Sequence, residues 1–194
     1  MKTSIRNSVF ETNSSSVHTL AIVKNAILKL PTPGSTLEVN CNGEFGWENK
    51  VYTDVDSKLS YLWKALEDSV YDSNVTIDEQ VEALKDKVAK LKSYLTEIGV
   101  NLVIEYDTIK KVESLYTPGY FYVQCLNADG KASTGYLDHG CEAKAFVEYV
   151  LSSSDNLFRF LFDERSYIIT GNDNDDYYCD APNNESADFF EKGN

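Results

Sequence analysis

Residues 76–99 read TIDEQVEALKDKVAKLKSYLTEIG. Within them Ile77, Val81, Leu84, Val88, Leu91, Leu95 and Ile98 recur four and three apart. That spacing draws one apolar stripe along a helix of about three heptads. Thr76 and Glu79 have the T-x-x-E spacing of a capping box, and Gly99 stands where a left-handed C-terminal cap belongs. Upstream, Leu59, Leu62, Trp63, Leu66 and Val70 form a second stripe, on a helix expected to start after Asp54 or Asp56. The turn YDSN separates the two. Lys85, Lys87 and Lys92 flank the longer seam, so a parallel homodimer would bring like charges together. Glu67, Asp68 and Asp72 of the first helix offer the opposite charge. The expectation is a helical hairpin over 56–98 within a monomer, with a coiled-coil-like dimer as the competing assembly.

Around the helices the pattern changes to that of strands. VHTLAIV at 17–23 is a continuous apolar run, STLEVNC at 35–41 alternates, and NLVIEY at 101–106 is a third candidate. Residues 119–126 and 132–137 flank NADGK and read as a β-hairpin. CEAKAFVEYVL reads as a short helix, Asp155 as the cap of another over NLFRFLF, and SYIIT as a last strand ended by Gly171. These elements imply an α+β fold: a mixed, mainly antiparallel sheet with the long helical hairpin packed on or beside it. Residues 1–171 are read as one domain and 172–194 as an acidic, mobile tail.

Composition narrows the function. The chain has 194 residues, of which 42% are hydrophobic, enough for a real core. Its net charge is −13, the reverse of what phosphate backbones attract, so direct nucleic-acid binding is not expected. Seven acids and one base in residues 172–194 account for −6 of that total. No run reaches the roughly 20 apolar residues of a membrane span, and MKTSIRNSVFETNSSS has no apolar signal core. A cytoplasmic location is therefore expected. Cys41, Cys125, Cys141 and Cys179 form no C-x-x-C pair and are read as reduced thiols. G-x-S-x-G, G-x-x-x-x-G-K-[ST] and G-x-G-x-x-G are all missing, and GNDNDD lacks the spacing of a calcium loop. No metal or cofactor is expected.

Two places could carry chemistry. Arg6, Glu11, Asn13, Ser14, Ser15, Ser16 and His18 crowd into thirteen residues just before a buried strand. Serine and asparagine supply short donors and acceptors, arginine grips anions through two hydrogen bonds, and histidine moves protons near neutral pH. The competing reading is a capped turn whose side chains bond their own backbone. The second histidine of the chain, His139, follows Asp138 at a strand end. If His18 and His139 shared a cavity with Glu11 or Asp138, they could act as an acid–base pair, with His18, His139 and Glu11 the catalytic candidates. The expected ligand surface joins Arg6, Glu11, Asn13, Ser14, Ser15, Ser16 and His18 to Asp138 and His139.

VFETNSSSVH at 9–18, GEFGWE at 43–48 with KLSYL at 58–62, YLDH at 136–139 and FLFDERSYIITGNDN at 160–174 span nearly the whole chain. Together they resemble an uncharacterised protein family of tailed phages and Firmicutes genomes. The resemblance assigns no catalytic residue. It implies a phage or mobile-element accessory protein in the bacterial cytoplasm, binding a host protein or a small polar ligand, with interference in host defence as one role. An enzyme using the N-terminal Ser/Asn/His loop with His139 is the alternative, and a binding role is favoured over it. An acidic mimic of nucleic acid is the second alternative, weakened because much of the charge lies in 172–194.

Overall fold

The computed structural model describes residues 16–46, 48–138, 143–172 and 186–193. Strand β1, Ser16–Val23, is buried at every residue. It lies inside a four-stranded sheet with β2 (Thr36–Val39) and β3 (Glu44–Phe45) elsewhere in the fold. The sheet order is β10 (Ala187–Gly193), β1, β9 (Tyr167–Asn172), β4 (Lys50–Tyr52), and every pairing in it is antiparallel. Thr19 pairs with Ile169, Ala21 with Phe190, and Tyr52 with Ile168. A strand enclosed on both faces needs no polar alternation, which explains the unbroken apolar run. Leu20, Ile22 and Ile168 point into the main core, against the helices.

Helix α1, Val55–Asp68, is capped by Asp54, whose carboxylate accepts from the Ser57 amide at 2.8 Å. Leu59, Tyr61, Leu62, Trp63 and Leu66 are fully enclosed, and so are Lys58 and Ser60 on its other sides. Helix α2, Ile77–Glu97, opens on the expected capping box of Thr76 and Glu79. Val81, Leu84, Val88, Leu91 and Leu95 of its seam are buried within the single chain. Gly99 follows at φ +74°, a left-handed conformation, and a Cβ there would stand 3.1 Å from Pro33.

The charge match expected between α1 and α2 is not made. Lys87 reaches the Ser69 hydroxyl at 2.8 Å, Lys85 pairs with Glu82 on its own helix, and Asp72 faces Lys144 at 3.9 Å. Helix α1 packs chiefly against α3 (Ala143–Val150) and then against β2 and α4 (Ser154–Phe162), while α2 lies on β5 (Asn101–Ile104), β6 (Thr108–Glu113) and β7 (Phe121–Leu126). Both helices thus serve a mixed α+β core.

Three two-stranded ribbons complete the described residues: β2–β5 parallel, β3–β8 (Tyr136–Leu137) parallel, and β6–β7 antiparallel. The hairpin expected across NADGK is corrected here. The turn forms, with the Asn127 amide donating to Lys131 O at 2.9 Å and Gly130 at φ +74°. Only Leu126 and Ala132 then pair. The chain leaves β7 and passes over the 41–43 turn at Gly135, where a Cβ would stand 2.5 Å from Cys41 O. Strand β8 pairs with β3 instead, and β7 takes β6 as its partner.

Smaller corrections follow the same logic. Ser153, not Asp155, caps α4, its hydroxyl accepting from the Asn156 amide at 3.1 Å. Strand β9 runs through Gly171 to Asn172. Residues 172–194, expected to be a tail, supply β10 at their far end. Phe189 there stacks at 4.9 Å on Tyr149, and Asp188 is paired with Arg159. Residues 173–185 lie outside the described residues.

The turn between α4 and β9 holds the most heavily bonded carboxylate. Asp163 accepts from the Ile27 amide (2.6 Å), the Arg165 amide (2.9 Å) and the Arg165 guanidinium. The Arg165 side chain is the main reason its carboxyl is held down to about 2. A depressed carboxyl stabilises the fold fully above its unfolded value and ceases to do so as pH falls through its folded value. Urea unfolding should therefore find Asp163→Asn less stable by about 2 kcal/mol at pH 7. The two proteins should converge as pH falls from about 4 to about 2. A constant gap across that window would count against this account.

Candidate functional site

Three of the sequence-derived site residues are described: Ser16, His18 and Asp138. The Ser16 hydroxyl donates to the main-chain carbonyl of Asp138, so the start of β1 and the end of β8 meet. The Asp138 amide donates to Phe45 O at 2.8 Å. Gly46 presses against Asp138, where a Cβ would come within 2.9 Å of the Asp138 Cβ. Arg6, Glu11, Asn13, Ser14, Ser15 and His139 lie outside the described residues, as do Cys141 and Cys179.

His18 is 0% exposed. Its Nδ1 shares a 2.8 Å hydrogen bond with the Tyr61 hydroxyl, and the two rings stand 5.6 Å apart. Thr170 and Gly193 flank it across the sheet. The ring is thus enclosed between the sheet and α1. Tyr61 in turn meets Phe45 and Phe146 edge to face at 5.1 and 5.9 Å.

A different place offers an open cavity. A cleft of about 350 Å³ lies between the C-terminal half of α1, the start of α2 and strand β7. Lys64, Glu67 and Asp68 form one wall, on one face of α1 by their spacing of three and four. Lys64 is almost enclosed and pairs with Glu67, which is 18% exposed. The Lys64 ammonium also donates to Ser133 Oγ at 3.1 Å and Cys41 O at 3.4 Å. Strand β7 makes the facing wall, with Cys125 at its inner end. Tyr71 and Tyr120, both exposed, stand at the rim.

The electrostatics disfavour nucleophilic attack by Cys41 or Cys125. Burial pushes the Cys41 thiol up to about 11. Burial, and then the Glu67 carboxylate, raise Cys125 still further. Neither thiol ionises near neutral pH, and the thiolate is the nucleophile. Asp68 opens to solvent at the mouth. Protein atoms crowding its carboxyl, followed by the Glu67 charge, push it up to about 6. Among the described residues no three His, Cys, Asp or Glu side chains group closely enough to hold a metal ion.

Sequence reasoning assigned Glu67 and Asp68 to the lysines of α2 and left Lys64 unassigned. The available signal was a charged i, i+3, i+4 triplet, Lys64, Glu67 and Asp68, on a helix that also carries an apolar stripe. The missing information was β7, whose partner strand could not be read locally.

Two measurements check these placements. If His18 is a core residue, His18→Ala should lower unfolding free energy by about 2–4 kcal/mol. Loss of a function with native stability would instead place the imidazole in a working site. Iodoacetamide at pH 8, read by peptide mass spectrometry, should leave Cys41 and Cys125 unlabelled until urea is added. Rapid native labelling of Cys125 would show that its sulfur opens into the cleft.

No family model matches this chain, and no curated protein or solved structure matches it.

Proposed function

We propose that this chain is a binding protein, an accessory factor of a phage or mobile element that engages a host factor or a small polar ligand through the α1–α2–β7 cleft. The observation that carries this reading is the cleft itself. A nearly buried Lys64–Glu67 pair faces a strand wall, with tyrosines at the rim and protonated thiols below. Such a mixture of a few placed polar groups and apolar surface is the usual composition of a ligand site. Action in a bacterial host, against its defence, rests on the family resemblance alone.

The enzymatic alternative has less behind it, because His18 is enclosed in the core and bonded to Tyr61. The monomer reading, and a hairpin seam satisfied within one chain, are supported by the burial of Val81, Leu84, Val88, Leu91 and Leu95 without a partner chain. No helix among the described residues is long and apolar enough to cross a membrane.

The test is a nuclear magnetic resonance titration with nucleosides, amino acids, amines and sugars at millimolar concentration. At least one class should move the amides of residues 64–71 and 120–125, and Lys64→Met with Glu67→Gln should abolish that response. Shifts confined to Ser16 and Asp138 would move the site to the start of β1 and overturn the cleft.

A further inference from the structure

The cleft lies along the edge of β7 that, among the described residues, has no strand beside it. Among the described residues β6 is the one strand paired with β7, apart from the single bridge Leu126↔Ala132. Ser114 donates to Tyr120 O at 2.8 Å, and the register continues through Val112↔Tyr122 and Lys110↔Gln124. Antiparallel alternation then turns the main-chain groups of Tyr122 and Gln124 toward β6 and those of Phe121 and Val123 away from it. Among the described residues, no hydrogen bond reaches the main chain of Phe121 or Val123 from that side. Both residues line the cleft.

The reason for the vacancy is visible in the fold. After NADGK the chain pairs once, at Leu126↔Ala132, as if to add a third strand to β6–β7. It then departs at Ser133–Gly135 to pair with β3, leaving a cleft where the third strand would run. Opposite the open edge stand Glu67 and Asp68, with Lys64 the one cation among the residues lining the cleft, in a chain of net charge −13.

Resting on the binding role proposed above, we infer that the cleft takes an extended segment of a partner protein. That segment adds as a strand to the free edge of β7 and directs a lysine or arginine toward Asp68, beside the Lys64–Glu67 pair. Main-chain hydrogen bonds to Phe121 and Val123 supply sequence-independent affinity, and the Asp68 carboxylate selects basic side chains. The rim tyrosines, Tyr71 and Tyr120, cover the aliphatic stem of such a side chain. Strand addition explains a feature that a small-molecule pocket does not: the cleft follows consecutive residues of one strand, Tyr120 to Cys125.

The probe is a short N-acetylated peptide of alternating lysine and valine, compared with the same peptide N-methylated along its middle. Methylation keeps every charge and removes the main-chain donors. The unmodified peptide should bind, slow hydrogen exchange at Phe121 and Val123, and lose about tenfold or more in affinity on methylation. Val123→Pro should cause a similar loss. It deletes an amide on the free edge while sparing the β6 ladder, a position that an edge strand tolerates. The methylated peptide acts on the unaltered protein, so the result stands even if the proline variant misfolds. Equal binding of the two peptides would reduce the interaction to charge attraction and overturn the inference. So would protection elsewhere, no binding at all, or a concentration-dependent dimer that occupies the edge. If the peptide fails while a small polar compound still shifts the cleft amides, strand addition falls and the binding role stands.

Discussion

A single ammonium group inside the core sets much of this architecture. Lys58 is fully buried on α1, above the ring of Phe160 at 5.9 Å. Removing such an ion from water costs on the order of several kcal/mol unless its protons find acceptors. They find the carbonyls of Asp163 and Ser166, at 2.9 and 3.3 Å. Burial still lowers Lys58 to about 8, with the Asp163, Asp54 and Glu164 charges working against that fall. Meeting this demand fixes the turn after α4. With its carbonyl turned inward, Asp163 presents its carboxylate to Ile27 and Arg165, which directs the chain leaving β1. Ser166 meanwhile binds the Val23 amide and the Arg159 carbonyl, so the same turn pins β1 to α4.

The stretches that carry the family resemblance meet one another at these points. Lys58 of KLSYL holds Asp163 and Ser166 of FLFDERSYIITGNDN. Tyr61 of KLSYL bonds His18 of VFETNSSSVH. Glu44–Phe45 of GEFGWE pairs as β3 with Tyr136–Leu137 of YLDH as β8, and Ser16 donates to Asp138 beside them. Short motifs scattered over the chain thus meet through separate polar contacts: Lys58 with Asp163 and Ser166, His18 with Tyr61, and Ser16 with Asp138. Those contacts, with the burial of both residues, give His18 and Ser16 a structural role. The density of hydrogen-bonding side chains before β1, read from sequence as a site, is at Ser16 and His18 part of the means of closing the fold.

Legibility followed the range of the interaction. The capping box of α2, the cap of α1 and both apolar stripes depend on contacts three and four residues apart, and these were readable. Strand β1 was readable because enclosure on both faces leaves an unbroken apolar run. Strand β10 was not. Its acids dominate the local composition, whereas its place depends on Phe189 reaching Tyr149 and Asp188 reaching Arg159, residues far away in sequence. The NADGK hairpin failed for a related reason. The local turn chemistry was right, but Gly135 lets the chain cross the 41–43 turn so closely that β8 finds β3. The cleft is a consequence of that departure, so no local pattern could announce it.

An open strand edge is ordinarily a hazard, since it invites pairing with any exposed strand. Here the hazard is contained on both sides of the ribbon. Strand β6 exposes Lys110 and Lys111, one on each face of the ribbon, and Lys111 is tied to Asp78 and to the ring of Phe121. On the other side, α1 and residues 133–135 wall the β7 edge into a recess. A sheet from another molecule would meet those walls, while one extended segment would have room between them. The buried Lys64–Glu67 pair sharpens that filter. Its charges are already matched to each other and to Ser133, so it adds little attraction of its own. What it leaves facing the entrant is Asp68, one carboxylate in the crowded mouth of an acidic protein. An apolar strand gains nothing there and buries a charge, whereas a basic one supplies the missing counter-ion. The arrangement that keeps the edge from aggregating is therefore the same one that makes it selective.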